Sequence, residues 1–137
     1  MEERRKTEIK YYNPSTLFSP PGFTHTVTAK GAGTWIYVSG QVATDQKGQV
    51  VGKGDIEAQT RQAFKNLEEA LKAAGATFKE VVKVNIYLTD IRNIDVVRKV
   101  RTEFLDQKNP PAITSAGVTG LARQGALIEI EVIAAIP

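Results

Sequence analysis

The hydrophobic period of this chain switches between two and about 3.6 residues along its length, and that switching limits the folds open to it. Ile56, Thr60, Ala63, Leu67, Ala70 and Ala74 recur at steps of four and three, and Phe64 and Leu71 widen the stripe. The pattern predicts an amphipathic helix of about five turns, with Asp55 as its N-cap and Gly75 placed to close it. Val82, Val84, Ile86 and Leu88 then alternate with Lys83, Asn85 and Tyr87, as a strand with one strongly apolar face. A second helix follows, capped by Asn93, with Ile94, Val97, Val100 and Phe104 on one side and Pro110 and Pro111 beyond its end. Residues 112–118 read as a strand and 121–125 as a loop. In the last strand, 127–135, Ile128, Ile130, Val132 and Ala134 face one way. Leu127, Glu129, Glu131 and Ile133 face the other.

The first third is less regular. The ten-residue start, MEERRKTEIK, reads as a solvated tail, and residues 1–12 as a flexible or loosely packed lead-in. Residues 11–24 hold three prolines and one glycine, with Tyr11, Tyr12, Phe18 and Phe23 able to pin them to a surface. Residues 24–29 are rich in β-branched side chains, Gly31 and Gly33 interrupt them, and 35–39 resume; together they predict a hairpin. Residues 45–54 form a loop with a short strand at 49–51. The expected order is β-β-(β)-α-β-α-β-β, a two-layer α+β sandwich with both helices on one face of the sheet. No third helix remains for the other face, which would carry Lys83, Asn85, Tyr87, Glu129 and Glu131. That face meets either water or another copy of the chain, and Leu127 and Ile133 favour association.

At 137 residues, 42% of them hydrophobic and 24% charged, the chain suits one globular domain spanning 1–137. It has no cysteine and a single histidine, His25. Disulfides, thiolate metal sites, cysteine nucleophiles and His-rich metal centres are therefore excluded, and no EF-hand spacing is present. Eighteen basic and 15 acidic residues give a net charge of +3, with the signs mixed along most of the chain. A nucleic-acid binder clusters its basic residues, so nucleic acid is not expected as a partner. No apolar run approaches the roughly 20 residues that span a bilayer, and no signal-peptide core is visible. No membrane partner is expected, and a cytoplasmic location is the simplest expectation.

Several short runs occur in a fixed order. Val38-Ser39-Gly40-Gln41 follows an apolar strand; Gln59 and Asn66-Leu67 lie on the first helix; Val81-Val82-Lys83-Val84 runs on to Leu88-Thr89-Asp90. Pro111-Ala112 precedes a strand, and Ile128-Glu129-Ile130-Glu131 stands near the end. This succession resembles the Rid family, also called YjgF and labelled endoribonuclease L-PSP, over almost the entire chain. The resemblance implies a chorismate-mutase-like fold and a homotrimer, with a cleft for a small-molecule metabolite at each subunit interface. It also implies a deaminase that hydrolyses reactive enamines and imines, such as 2-aminoacrylate, to a 2-keto acid and ammonia, with no cofactor. The family's substrate-carboxylate arginine directly follows Pro-Ala, and here Ile113 stands in its place. Gly40 matches the glycine whose backbone approaches the ligand, and Glu129 the glutamate linked to water activation. Phe23 matches a site tyrosine without its hydroxyl. Ser115 matches a position that is often a ligand-contacting cysteine, and Arg98 one that is often asparagine.

Each residue also has a plainer reading. Glu129 is a general acid or base if an apolar cleft raises its pKa, or else a solvated or ion-paired strand residue. Glu131, on the same face, supports Glu129 or pairs with a Lys or Arg at an interface. Arg98 and Arg123 are two sources for the missing cation, or surface residues. His25 is a proton shuttle or a structural ring. Gly40 admits a ligand or marks a strand end. Ser115 and Thr114 lack a His–Asp partner, which argues against nucleophilic catalysis. Three functions compete: an imine/enamine hydrolase with altered substrate, a non-catalytic metabolite-binding or regulatory trimer, or a holdase-like or protein-partner role that needs an exposed apolar patch.

Overall fold

The computed structural model describes residues 6–137 as a mixed sheet backed by two helices. In chain order the strands are β1 (Glu8–Tyr12), β2 (Thr26–Lys30), β3 (Thr34–Gln41), β4 (Val81–Leu88), β5 (Ala112–Gly117) and β6 (Ile128–Ile136). The helices are α1 (Ile56–Ala73) and α2 (Ile94–Arg101). The main sheet has the order β3-β6-β4-β5. β6 lies antiparallel between β3 and β4, and β5 runs parallel to β4. The α+β class and the two-helix layer are as expected.

The layer closes because three periodicities converge. From β6 come Ile128, Ile130, Val132 and Ala134, from β4 Val84, Ile86 and Leu88, and from α1 Ala63, Phe64, Leu67 and Leu71. All are buried in one core with Val97 and Val100 of α2. Phe64 stacks on Phe104, with ring centroids 4.9 Å apart, and Phe78 meets both edge-on. The caps of α1 are those the sequence suggests. The Asp55 carboxylate accepts from Ala58 N–H at 3.0 Å. Gly75, at φ +81°, lets Ala76 N–H reach back to Leu71 O at 3.0 Å.

The start of the chain differs from expectation. Glu8–Tyr12, placed in a loose lead-in, is a strand paired antiparallel with β2. β2 therefore forms a ribbon with β1 rather than a hairpin with β3. The physical reason lies in residues 11–24, whose prolines turn the chain back on itself. Thr24 then anchors that turn, through its N–H to Pro111 O and its hydroxyl to Pro110 O. Residues 1–5, the rest of the expected tail, lie outside the described residues. The strand expected at 49–51 is reduced to one bridge, Thr44 to Val50.

Two smaller corrections have local causes. Asn93 makes no side-chain cap for α2; Asp90 caps a preceding 3-10 turn by accepting from Arg92 N–H at 3.0 Å. The turn then runs directly into the helix, so the Asn93 side chain has no cap to supply. A bulge between Val81 and Lys83 puts Val81, not Val82, on the buried face.

Candidate functional site

A second bulge shapes the open face of the sheet. Between Val38 and Gln41 of β3 the pairing with β6 slips by one residue. The slip brings the backbone of Gly40 against the side chain of Glu129. A Cβ at position 40 would stand 2.7 Å from Glu129 Cδ and 2.8 Å from its Cγ and Oε2. Glycine is thus required here by close approach. Among the described residues no hydrogen bond or ion pair holds the Glu129 carboxylate, so it is available to water or a ligand.

Beside it lies a polar network. Glu131 Oε1 accepts from Tyr87 Oη at 2.7 Å and from Asn85 Nδ2 at 3.1 Å. Among the described residues of one copy, no Lys or Arg pairs with it. The Glu131 hydrogen bond, partial desolvation and the charges of Glu131 and Glu129 push the Tyr87 phenol above its ordinary range. Lys83 Nζ donates to Thr114 Oγ1 at 2.8 Å. Lys83, Asn85 and Glu131 also line a shallow 280 Å³ pocket with Tyr37.

The other candidates lie across the sheet. Ile113 is opposite Val84 and Ser115 opposite Ile86, on the helix-facing side, and Ile113 packs on the core. Phe23 makes edge-on contacts with Phe18 and His25, and is held near β5 by the Thr24 anchor. His25 Nε2 lies 2.9 Å from Phe18 O, the structural reading of that ring. Arg98 lies on α2, paired with Asp95 at 3.3 Å. Arg123 lies over the loop at Gly48, away from both groups. One copy therefore joins Gly40 with Glu129, and Phe23 with the start of β5, but leaves the two groups on opposite sides of one sheet.

Three residues escaped the sequence reading as site determinants. The Gln59 side chain, fully buried, donates to Gly52 O and Gly125 O and accepts from Leu127 N–H. Asn66 donates to Val42 O and Thr44 O. These amides clamp the loops that lead into β6 and out of β3, and so hold Glu129 and Gly40 in register. Their signal was a polar residue on the apolar side of a helix. The third is Arg101, one turn from Arg98, whose spacing of three was the available sign. A hollow of 860 Å³ between Tyr11, Phe78 and Phe104 holds none of the expected site residues.

Residues 19–136 match the endoribonuclease L-PSP family. The chain belongs to that family. It is 36% identical over 103 residues to a RutC family protein of Pyrococcus horikoshii, covering 75% of this chain and 80% of that one. It is 36% identical over 99 residues to a human protein named 2-iminobutanoate/2-iminopropanoate deaminase, covering 72% and 71%. Among solved structures it resembles YyfB of Yersinia pestis, a Rid-family protein of unknown function. The TM-score is 0.81 at 33% identity, covering 93% of this chain and 98% of that one. A fission-yeast relative, mmf1, is named as mitochondrial, at 38% identity over 89% of this chain and 73% of that one. Family membership therefore does not select the cytoplasm. No helix among the described residues is long and apolar enough to cross a membrane.

Proposed function

We propose that this Rid-family protein hydrolyses imines and their enamine tautomers to carbonyl compounds and ammonia, in a small-molecule cleft completed by a second copy within a homotrimer. The observation that carries this is the unpaired Glu129 carboxylate, laid over the Gly40 bulge on a sheet face that neither helix covers. The imine carbon is already electrophilic, so the protein needs to orient water and move protons. Water adds to C=N; the carbinolamine formed loses ammonia as its hydroxyl proton leaves; Glu129 takes and returns the proton. No cofactor enters this scheme. Kinship to proteins named 2-iminobutanoate/2-iminopropanoate deaminase supports it.

The same face supports the proposed assembly. Trp35 is 48% and Tyr37 74% exposed, on the side of β3 that carries Ile133 of β6. A second copy packed there would bury these rings and could bring Phe23 and Ser115 of one subunit toward Glu129 of the next. Light scattering of the full chain should give a trimer; a monomer at micromolar concentration would remove the shared cleft.

The chemical test is ammonia release from 2-aminoacrylate generated in situ. Wild type should turn it over weakly, Ile113→Arg faster, and Glu129→Gln not at all. Full turnover by Glu129→Gln excludes that carboxylate, and rapid wild-type turnover excludes a disabling role for Ile113. A second reading, a metabolite-binding trimer without chemistry, is favoured by the packing of Ile113 into the core. It predicts thermal stabilisation by a 2-keto acid with no ammonia from any imine.

A further inference from the structure

Arg101 is a buried cation without an acid. It is 7% exposed, and no carboxylate of the described residues forms an ion pair with it. Its one hydrogen bond among the described residues is a long one, Nη2 to Gly22 O at 3.4 Å. A guanidinium has five N–H donors and does not shed its charge in a protein, so burying it this way is costly. The last turn of α2 offsets part of that cost through the helix dipole. The remainder is open, because Thr7 Oγ1 is the sole side-chain polar atom among the described residues that is both sealed and unpartnered. The nitrogens of Arg101 that lack partners therefore reach the hollow beside them.

That hollow is a 340 Å³ pocket between residues 21–22 and the end of α2. Arg98 lines it too, one helical turn away; desolvation by burial, and after it the charge of Arg98, lower the affinity of Arg101 for its proton. Asp106 is the carboxylate on the rim, and it accepts from Lys108 N–H rather than from either arginine. The pocket is thus a concave, partly desolvated site with two guanidinium groups: Arg98 is paired with Asp95 at 3.3 Å, and Arg101 has no ion pair among the described residues, the rim carboxylate of Asp106 included.

We propose that the Arg98–Arg101 pocket binds the carboxylate of a small organic acid. A planar carboxylate matches the guanidinium fork and would satisfy donors that the fold leaves open. Phe23 links this pocket to β5: Gly22 contacts Arg101 on one side, and Thr24 is bonded to Pro110 and Pro111 on the other. The cation missing at Ile113 is then supplied from α2, and the acid is the 2-imino acid or its 2-keto product. That last identification rests on the proposed hydrolase activity; the binding itself does not.

The test titrates the full chain with 2-oxobutanoate, its neutral amide 2-oxobutanamide, and inorganic phosphate. Binding is read by calorimetry and by the Nε–Hε resonances of the arginines. Wild type should bind 2-oxobutanoate saturably, with a shift of the Arg101 resonance, and should not bind the amide. Arg101→Gln should weaken binding at least ~10-fold, Arg98→Gln by a smaller factor, and Arg101→Lys should retain part of it. Equal affinity in Arg101→Gln, equal binding of the amide, or phosphate binding without 2-oxobutanoate binding would each overturn the proposal. If Arg101→Gln fails to fold, an unmoved Arg101 resonance in wild type under saturating 2-oxobutanoate overturns it as well. Ammonia release is measured beside these: Arg101-dependent binding without turnover sinks the hydrolase reading alone, and turnover unaffected by Arg101→Gln sinks the identification of the bound acid with the substrate.

Discussion

The two faces of the main sheet come from the same alternating strands, yet they differ in almost every physical respect. On the helix side, Ile128, Ile130 and Val132 meet Phe64, Leu67 and Leu71 with no solvent between them. On the open side, the intervening residues are Glu129, Glu131 and Ile133, facing Tyr87, Asn85 and the exposed Tyr37. Alternation assigns each residue to a face, but a face becomes a core only when another element brings a matching surface. The closed face therefore carries stability, while the open face is left free for the proposed chemistry and the proposed second copy.

That contrast can be broken at graded points. Phe64→Ala removes a fully buried ring from the closed face and should cost about 3–5 kcal/mol. Urea melts would show this, and a cost below 1 kcal/mol would mean that the helix layer is not the main source of stability. Gln59→Ala strips the partners from two carbonyls and one N–H that lead into α1 and β6, and should cost about 2–3 kcal/mol. Hydrogen exchange at Leu127 should rise more than at Val132; uniform exchange would remove Gln59 as a local clamp.

Gly40→Ala probes the open face. Its new Cβ must displace Glu129, at about 1–3 kcal/mol of strain. Catalysis should suffer more than folding, and unchanged turnover would detach the bulge from the site. Tyr87→Phe should have the smallest effect on stability, because its ring is partly solvated. The Tyr87 pKa is raised in the folded protein, mainly by the Glu131 hydrogen bond. Its contribution is therefore complete below the ordinary tyrosine value of about 10 and is lost as pH rises through the higher folded value. Ultraviolet titration should show two late-ionising tyrosines, Tyr11 and Tyr87, of which Tyr87→Phe removes one; identical curves would remove that contribution.

Much of the fold was legible in the chain. The stripe from Ile56, the Asp55 cap, Gly75 and the alternation of the last strand are local signals, set by side-chain spacing and backbone freedom. The errors arose where partners are distant. Residues 26–30 are equally suited to pair with either neighbour, and the choice of β1 over β3 depends on Thr24 reaching Pro110 and Pro111, 86 and 87 positions away. Of the site, the residue types at Gly40 and Glu129 were readable, but not the bulge that presses one on the other. Arg101 looked like any helix-surface arginine until Gly22 and the end of α2 enclosed it.

The sequence by itself determined the α+β class, the family and the limits of α1, since each follows from residue identity and local spacing. Only the tertiary structure decided which side of the sheet each candidate occupies and which charges are left unpaired. Desolvation and partner geometry are properties of the packed chain, and no stretch of sequence carries them alone.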